Sequence, residues 1–153
     1  LMPDNKIITD REEMLEAVKT NGSALQYASD TLKADREIVL EAVRNNGFSI
    51  KYADDSLRTN QELVLEAVRS RGGALAYVDD SLKADREVVL EAVKKDGLAL
   101  QFADDSLKAD REFVLEAVRY DSWALYYASE ELQNDPELKK LASTAGLYGY
   151  YDE

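Results

Sequence analysis

A 25-residue period that recurs five times without a gap is the feature that most constrains this chain. The third and fourth copies agree at 15 of their 25 positions, so the similarity does not arise by chance. Units of this length cannot bury their apolar faces alone, and they gain stability by stacking on their neighbours. The copies, numbered repeats 1 to 5, occupy residues 10–34, 35–59, 60–84, 85–109 and 110–134, and a partial sixth begins at Asp135.

Each repeat has the pattern of one long helix, one short helix and a capped turn. Position 1 is Asp or Asn in every copy, a residue type that caps helices by accepting backbone N–H groups. Position 13 is glycine in the first four copies (Gly22, Gly47, Gly72 and Gly97), which we interpret as a left-handed helix stop. Ser122 replaces this glycine in repeat 5, so that turn is expected to differ. Position 20 is Ser or Asp and predicts the cap of a last helical turn.

The apolar residues of the long helix predict an all-α solenoid. Positions 4, 5, 6, 8 and 9 are mostly apolar, so most of the helix circumference has to be buried between neighbours. We therefore expect Leu65 and Leu90, at position 6 of repeats 3 and 4, to be core residues. No segment alternates with period two, so no strand is expected. The predicted architecture is a single α-solenoid domain over residues 1–153, with atypical end caps that include residues 135–153.

Composition narrows the chemistry that this chain can perform. It contains no cysteine and no histidine, which removes disulfides, thiolate chemistry, Ser-His triads and ordinary zinc sites. No apolar run is long enough to cross a bilayer, and no leader peptide is expected at the start of the sequence. The net charge of −12 disfavours nucleic acid and favours a protein partner with a basic surface; the alternative is that the charge serves solubility alone.

The repeated motif D-R-E-x-V-L-x-A-V-x-x-x-G-x-A-L-x-Y-A, followed by S/D-x-x-L, resembles a helical repeat family known only as a domain of unknown function. The resemblance covers residues 10–134. It implies an all-helical fold, in a group that occurs in bacteria, including secreted effectors of intracellular bacteria, and in protists. It also implies a regulatory or host-directed role, in the cytoplasm or after secretion into a host cell, and it offers no catalytic residues to transfer.

Two sets of acidic residues recur at fixed positions. The Asp pairs at positions 20 and 21 could line up as a calcium site, but they lack a calcium-loop pattern, and the first Asp of each pair is explained as a cap. The glutamates at position 7 each precede a Lys or Arg by three residues, which predicts ion pairs within the helix rather than catalytic carboxylates. We therefore expect no metal site, no cofactor and no catalytic residue. The two sets are Asp54, Asp55, Asp79, Asp80, Asp104 and Asp105, and Glu16, Glu41, Glu66, Glu91 and Glu116.

The positions that vary between repeats are the candidates for partner binding. Positions 14 and 17 share a face of the second helix, and positions 11 and 12 directly precede the glycine. Aromatic and long polar residues there are typical of interface cores; the alternative is that the apolar ones form a partly buried core. The predicted partner-binding residues are Phe48, Lys51, Leu98, Gln101, Tyr120, Trp123 and Tyr126.

Aromatic residues are densest in repeat 5 and in the tail, where Tyr127, Tyr148, Tyr150 and Tyr151 add to the predicted set. They form either a binding patch or a layer that closes the solenoid, and for the tail we prefer the closing layer. The leading functional hypothesis is a non-catalytic protein–protein interaction scaffold, a regulator or inhibitor that masks a partner protein. The alternatives are a structural or self-assembling repeat element and a carboxylate-dependent enzyme.

Overall fold

A computed structural model describes residues 6–144, and it has an all-α fold, as predicted. The long helices are Arg11–Thr20, Arg36–Asn45, Gln61–Ser70, Arg86–Lys95, Arg111–Tyr120 and Pro136–Thr144. Each of the first five is followed by a 3₁₀ helix, and these are Gly22–Tyr27, Gly47–Tyr52, Gly72–Tyr77, Gly97–Phe102 and Ser122–Tyr127. One further turn closes each unit, and these turns are Asp30–Lys33, the 3₁₀ turn Asp55–Leu57, Asp80–Lys83, Asp105–Lys108 and Glu130–Gln133.

Side-chain caps begin almost every element of the repeat. Asp10 starts the first long helix by accepting a 2.8 Å hydrogen bond from the amide of Glu13, and position 1 has the same role in the later copies. Position 20 caps the closing turn, as Ser29 does for the amide of Leu32. Position 12 caps most of the 3₁₀ helices, although Arg71 makes no side-chain cap bond. These local bonds explain why polar residues recur at three fixed positions.

The elements are arranged in two rows. The long helices of successive repeats pack against one another, and so do the 3₁₀ helices. Backbone hydrogen bonds join neighbouring repeats, because the position-20 amide donates to the position-24 carbonyl of the preceding copy, for example Asp54 to Lys33 at 2.9 Å. At the N-terminal end Ile8 substitutes for a preceding repeat, since its carbonyl accepts a 2.9 Å bond from Ser29. Within residues 6–144 no helix is long and apolar enough to be a membrane span.

A continuous apolar core lies between the two rows. In repeats 2 to 5 the long helices bury positions 4, 5, 8 and 9, whereas the first helix buries only Met14 and Val18; the 3₁₀ helices bury position 16, which includes Leu100. The expectation for position 6 was wrong: Leu65 and Leu90 are only partly buried and pack against the edge of the core. At the helical rotation of roughly 100° per residue, position 6 lies roughly 130° from the middle of the buried face. Its leucines therefore border solvent.

The repeated glycine has a different cause from the one predicted. None of the position-13 glycines has a left-handed backbone, and each begins a 3₁₀ helix after an extended residue. A β-carbon on Gly47 would lie closer than 3.0 Å to the carbonyl oxygen of Ala67 in the next repeat. The turn at Ser122 has the same 3₁₀ form, so the expected difference in repeat 5 was also wrong. In repeats 1 to 3 glycine is favoured because a helix carbonyl of the next repeat lies close to it, and in repeat 4 because the Asp121 side chain does.

The last described helix, Pro136–Thr144, has a more polar outer face than the long helices before it. Leu138 and Ala142 are buried against the array, while Lys139 and Lys140 are exposed at positions 5 and 6. Position 5 carries a buried valine in repeats 2 to 5. The tail tyrosines assigned to the closing layer, which are Tyr148, Tyr150 and Tyr151, lie outside the described residues.

Candidate protein-binding surface

The predicted binding residues lie along the row of 3₁₀ helices and at the adjoining end of a long helix. Among them Phe48 and Trp123 are 37% and 36% exposed, and Tyr120 and Tyr126 are 54% and 55% exposed. These large side chains are prominent on a surface where most apolar residues are covered. The structure divides them into two groups at different points along the row.

The first aromatic patch consists of Phe48, Lys51, Tyr52, Arg71 and Tyr77 and joins repeats 2 and 3. The rings of Phe48 and Tyr77 meet edge to face, with their centroids 6.4 Å apart. The ammonium group of Lys51 lies 5.0 Å from the Tyr52 centroid and 5.6 Å from the Tyr77 centroid. The guanidinium of Arg71 lies 5.8 Å from the Phe48 centroid. Two cations thus flank a pair of exposed rings, a geometry that favours cation–π attraction.

Gly73 makes room for this patch. A β-carbon on Gly73 would be 3.1 Å from Cε1 of Phe48, so the phenyl ring of repeat 2 lies over the glycine of repeat 3. Both residues occupy position 14. Sequence reasoning treated position 18 as framework and missed Tyr77, which is 37% exposed. The sequence feature that could have indicated this patch is the large residue Phe48 followed by a glycine, Gly73, at the same position of the next repeat.

The second aromatic patch consists of Lys94, Tyr120, Trp123, Tyr126 and Tyr127 at repeats 4 and 5. The centroids of Trp123 and Tyr126 are 6.4 Å apart, and those of Tyr126 and Tyr127 are 5.1 Å apart. The ammonium group of Lys94 lies 4.7 Å from the Tyr120 centroid. Sequence reasoning assigned three of these residues to the surface but did not include Lys94.

Leu98 and Gln101 occupy the ridge in repeat 4. Both are partly buried, and the Gln101 amide donates a 3.0 Å hydrogen bond to the Leu98 carbonyl of its own repeat. The alternative of a partly buried residue therefore describes Leu98 better than it describes Phe48 or Trp123. These two residues present less apolar surface than the patches on either side.

Charged residues of the long helices form a ladder between repeats that sequence reasoning did not predict. The guanidinium of Arg11 binds Asp35 at 2.7 Å and Glu37 at 2.6 Å in the next repeat. The hydrogen bond from Arg11 holds the pKa of Asp35 below its ordinary value. The same arrangement recurs along the array in the contacts Arg36–Glu62, Gln61–Asp85, Arg86–Asp110 and Arg111–Asp135. The D-R-E motif therefore combines a cap with a bridge to the neighbouring repeat.

The position-7 glutamates form a second set of contacts, both within and between helices. Glu16 pairs with Lys19 at 3.2 Å inside its helix, as the spacing predicts. Glu91 contacts Lys94 inside its helix and Arg69 of the preceding repeat, in both cases at 3.4 Å. Such pairs near the surface are individually weak, and those such as Arg69–Glu91 connect one repeat to the next.

The first aspartates of the acidic pairs cap the closing turns. Asp79 accepts hydrogen bonds from the amide and the hydroxyl of Ser81 at 3.0 and 2.6 Å. These bonds lower the pKa of Asp79, and Ser56 and Ser106 do the same for Asp54 and Asp104. In the part of the chain that the structure describes, no three carboxylates are grouped so that they could hold a metal ion.

The match to a family model shows which family this chain belongs to. The model of a family described as a domain of unknown function, DUF4116, matches residues 10–58, 60–108 and 110–142. This chain belongs to the DUF4116 family. Each of the first two DUF4116 matches spans nearly two 25-residue repeats, and the third spans repeat 5 and most of the last described helix. No curated protein and no solved structure shows a significant match to the chain.

Proposed function

We propose that this DUF4116 chain is a non-catalytic scaffold that binds a protein partner along the row of 3₁₀ helices. The observation that carries the proposal is the pair of exposed aromatic patches on a framework that otherwise repeats. Clustered aromatic residues contribute much of the binding energy in protein interfaces. Binding along such a row would cover a surface of the partner, so the chain would act as a regulator or inhibitor by masking that surface.

The roles of the carboxylates support a scaffold over an enzyme. Those at positions 1 and 3 serve as helix caps and in the arginine ladder, and several of those at position 7 form ion pairs. Position 20 accepts hydrogen bonds from the closing turn. A catalytic centre needs several groups that converge on one reacting atom. These groups instead recur in parallel copies, which favours structural roles.

End-to-end self-assembly is the alternative, and Pro136–Thr144, the last helix that the structure describes, disfavours it. Continued stacking would extend the arginine ladder from one copy to the next. Pro136 stands at position 2 of the last helix, where repeats 1, 2, 4 and 5 have arginine. The exposed Lys139 at position 5 would also have to be buried by a stacked copy. Stacking of a second copy on this helix would therefore lack a bridging guanidinium and bury a charge.

The proposal is tested by affinity capture from an extract of the source cells and of any host cells, with identification by mass spectrometry. The captured partner is then titrated against wild-type protein and against Phe48→Ala, Trp123→Ala and Tyr126→Ala. We expect at least one aromatic variant to weaken binding by about 2 kcal/mol or more. Ile7→Ala is the matched control, because Ile7 is an exposed apolar residue outside the row.

Circular dichroism separates loss of binding from loss of fold in these variants. A partner that binds all aromatic variants as tightly as wild-type protein would show that the row is not its site. If Trp123→Ala unfolds repeat 5 and leaves partner affinity unchanged, Trp123 is a core residue and the second patch has no binding role. Light scattering that reveals large oligomers of the purified chain would favour self-assembly.

A further inference from the structure

We infer that the first aromatic patch binds an acidic peptide segment that also carries an aromatic or large aliphatic side chain. The inference rests on the proposed function and names the chemistry of the partner at this patch. It differs from the expectation drawn from net charge alone, which favoured a basic partner. The difference arises because charge is distributed unevenly over the molecule.

The charge evidence is that the patch holds two exposed cations that form no ion pair in the described part of the chain, although Asp96 lies beside Gly72, the residue next to Arg71. Within residues 6–144 neither Lys51 nor Arg71 forms an ion pair with a carboxylate, and both lie against aromatic rings instead. Most arginines of the long helices, by contrast, bridge to acidic residues of the next repeat; these are Arg11, Arg36, Arg44, Arg69, Arg86 and Arg111. The positive charge of the patch is therefore available to a carboxylate of a ligand.

The apolar evidence is the exposed ring pair between the cations. The rings of Phe48 and Tyr77 meet at an interplanar angle of 85°, and the Phe48 ring lies over Gly73. Aromatic side chains have only two rotatable side-chain bonds, so they lose little conformational freedom when a ligand side chain packs on them. An apolar side chain on these rings would bring a neighbouring carboxylate within reach of Lys51 or Arg71.

Neighbouring acidic residues define which side of the patch takes the negative charge. On one side of Tyr77 an open depression is lined by Asp55, Asp79 and Asp80, together with Arg58, whose guanidinium lies 3.8 Å from Asp55. Its carboxylates outnumber its single guanidinium, so the depression disfavours a further carboxylate, and we expect the acidic part of a ligand on the side of Lys51 and Arg71. The second aromatic patch differs, because position 12 of its own repeat is the acid Asp121, whereas the same position in repeat 3 is Arg71, which contributes a cation to the first patch. The inference therefore applies to the first patch alone.

A phage-displayed library of random peptides, selected on the full chain, tests the inference. We expect the selected peptides to be enriched in Asp or Glu next to aromatic or large aliphatic residues. Fluorescence anisotropy should show that they bind the double variant Lys51→Glu, Arg71→Glu at least about tenfold more weakly. Phe48→Ala with Tyr77→Ala should cause a comparable loss. The matched control is Lys139→Glu with Lys140→Glu, which makes the same charge change on the last helix and should leave the affinity within about twofold.

Several outcomes would overturn the inference, and they can be distinguished from failure of the proposed function. Enrichment of Lys and Arg, or binding that ignores the charge reversal, would mean that the patch does not select an acidic segment. Apolar peptides that lose binding on Phe48→Ala but not on charge reversal would overturn the acidic chemistry and leave the scaffold role intact. Failure to select any peptide would also overturn the inference, while the affinity capture of a folded partner judges the scaffold role independently.

Discussion

Gly47 lies so close to the carbonyl of Ala67 in the following repeat that a β-carbon would be nearer than 3.0 Å to the carbonyl oxygen. Because that oxygen is part of the helix backbone, it cannot move aside as the end of a flexible side chain can. The contact connects the start of one 3₁₀ helix to the long helix of the next repeat. Because of this contact, adding a single methyl group at Gly47 tests whether the distance between neighbouring repeats can change.

Gly47→Ala should destabilise the protein by about 1–3 kcal/mol, the usual range for overpacking. Gly73→Ala is the matched control, because its β-carbon would meet only the ring of Phe48, which is partly exposed and able to shift. That change should alter stability by less than about 1 kcal/mol in either direction. Chemical denaturation with circular dichroism measures both variants. Equal effects would mean that the repeat spacing adjusts freely.

Leu100→Ala should lower the free energy of unfolding by about 2–5 kcal/mol, since the side chain is fully buried. Leu90→Ala should have a smaller effect, on the order of 1 kcal/mol, because position 6 borders solvent. Both variants remove the same atoms, so the difference between them measures burial. A larger loss for Leu90 than for Leu100 would contradict the assignment of the buried face.

Stability should fall as the pH drops below about 4, because carboxylates of the arginine ladder must then be protonated. The hydrogen bond from Arg11 lowers the pKa of Asp35 from its ordinary value of 3.8. The folded state therefore holds this carboxylate charged more strongly than the unfolded state does. The resulting stability is present above the unfolded value and is lost as the pH falls through the lower folded value.

Thermal melting measured from neutral pH down to about pH 2 tests this prediction. Asp35→Asn should make the acid-induced decrease in melting temperature shallower. It keeps the cap, because Asn60 caps its long helix at the equivalent position. Asp30→Asn makes the same charge change in the closing turn of repeat 1 and should leave the decrease close to that of wild-type protein. Identical acid profiles for all three proteins would show that the ladder does not contribute.

Calcium at millimolar concentration should leave the melting temperature nearly unchanged. The reason is that the carboxylate of Asp79 already accepts two hydrogen bonds from Ser81. An ion that bound the folded state would raise the melting temperature by mass action. Differential scanning fluorimetry with and without calcium is the measurement. A rise of several degrees that Asp79→Asn with Asp80→Asn abolishes would establish the acidic row as a cation site.

Local features of the fold were predictable from the sequence because they depend on interactions within a few residues. Asp10 and Ser29 cap the elements that follow them, as their residue types predict. The apolar spacing predicted one long helix per repeat with a wide apolar surface, and the 25-residue period predicted that the repeats stack on one another. The variable positions also pointed to Phe48 and Trp123, which are exposed in the structure, since residues outside the repeated framework are released from the demands of packing; their role in binding stays a prediction.

Contacts between repeats were decided only by the tertiary structure, because they join residues that lie about one full period apart. The sequence contains Arg11 and Asp35 but does not state that they meet across the repeat boundary. It contains Gly47 but does not distinguish a left-handed turn from a close approach to Ala67. The local charge around Lys51 likewise depends on which rings and acids surround it in space. The periodic sequence alone thus determined the helices and their order. The distance and rotation between stacked repeats determined why position 13 favours glycine, which charges pair in the arginine ladder, and where the two aromatic patches form.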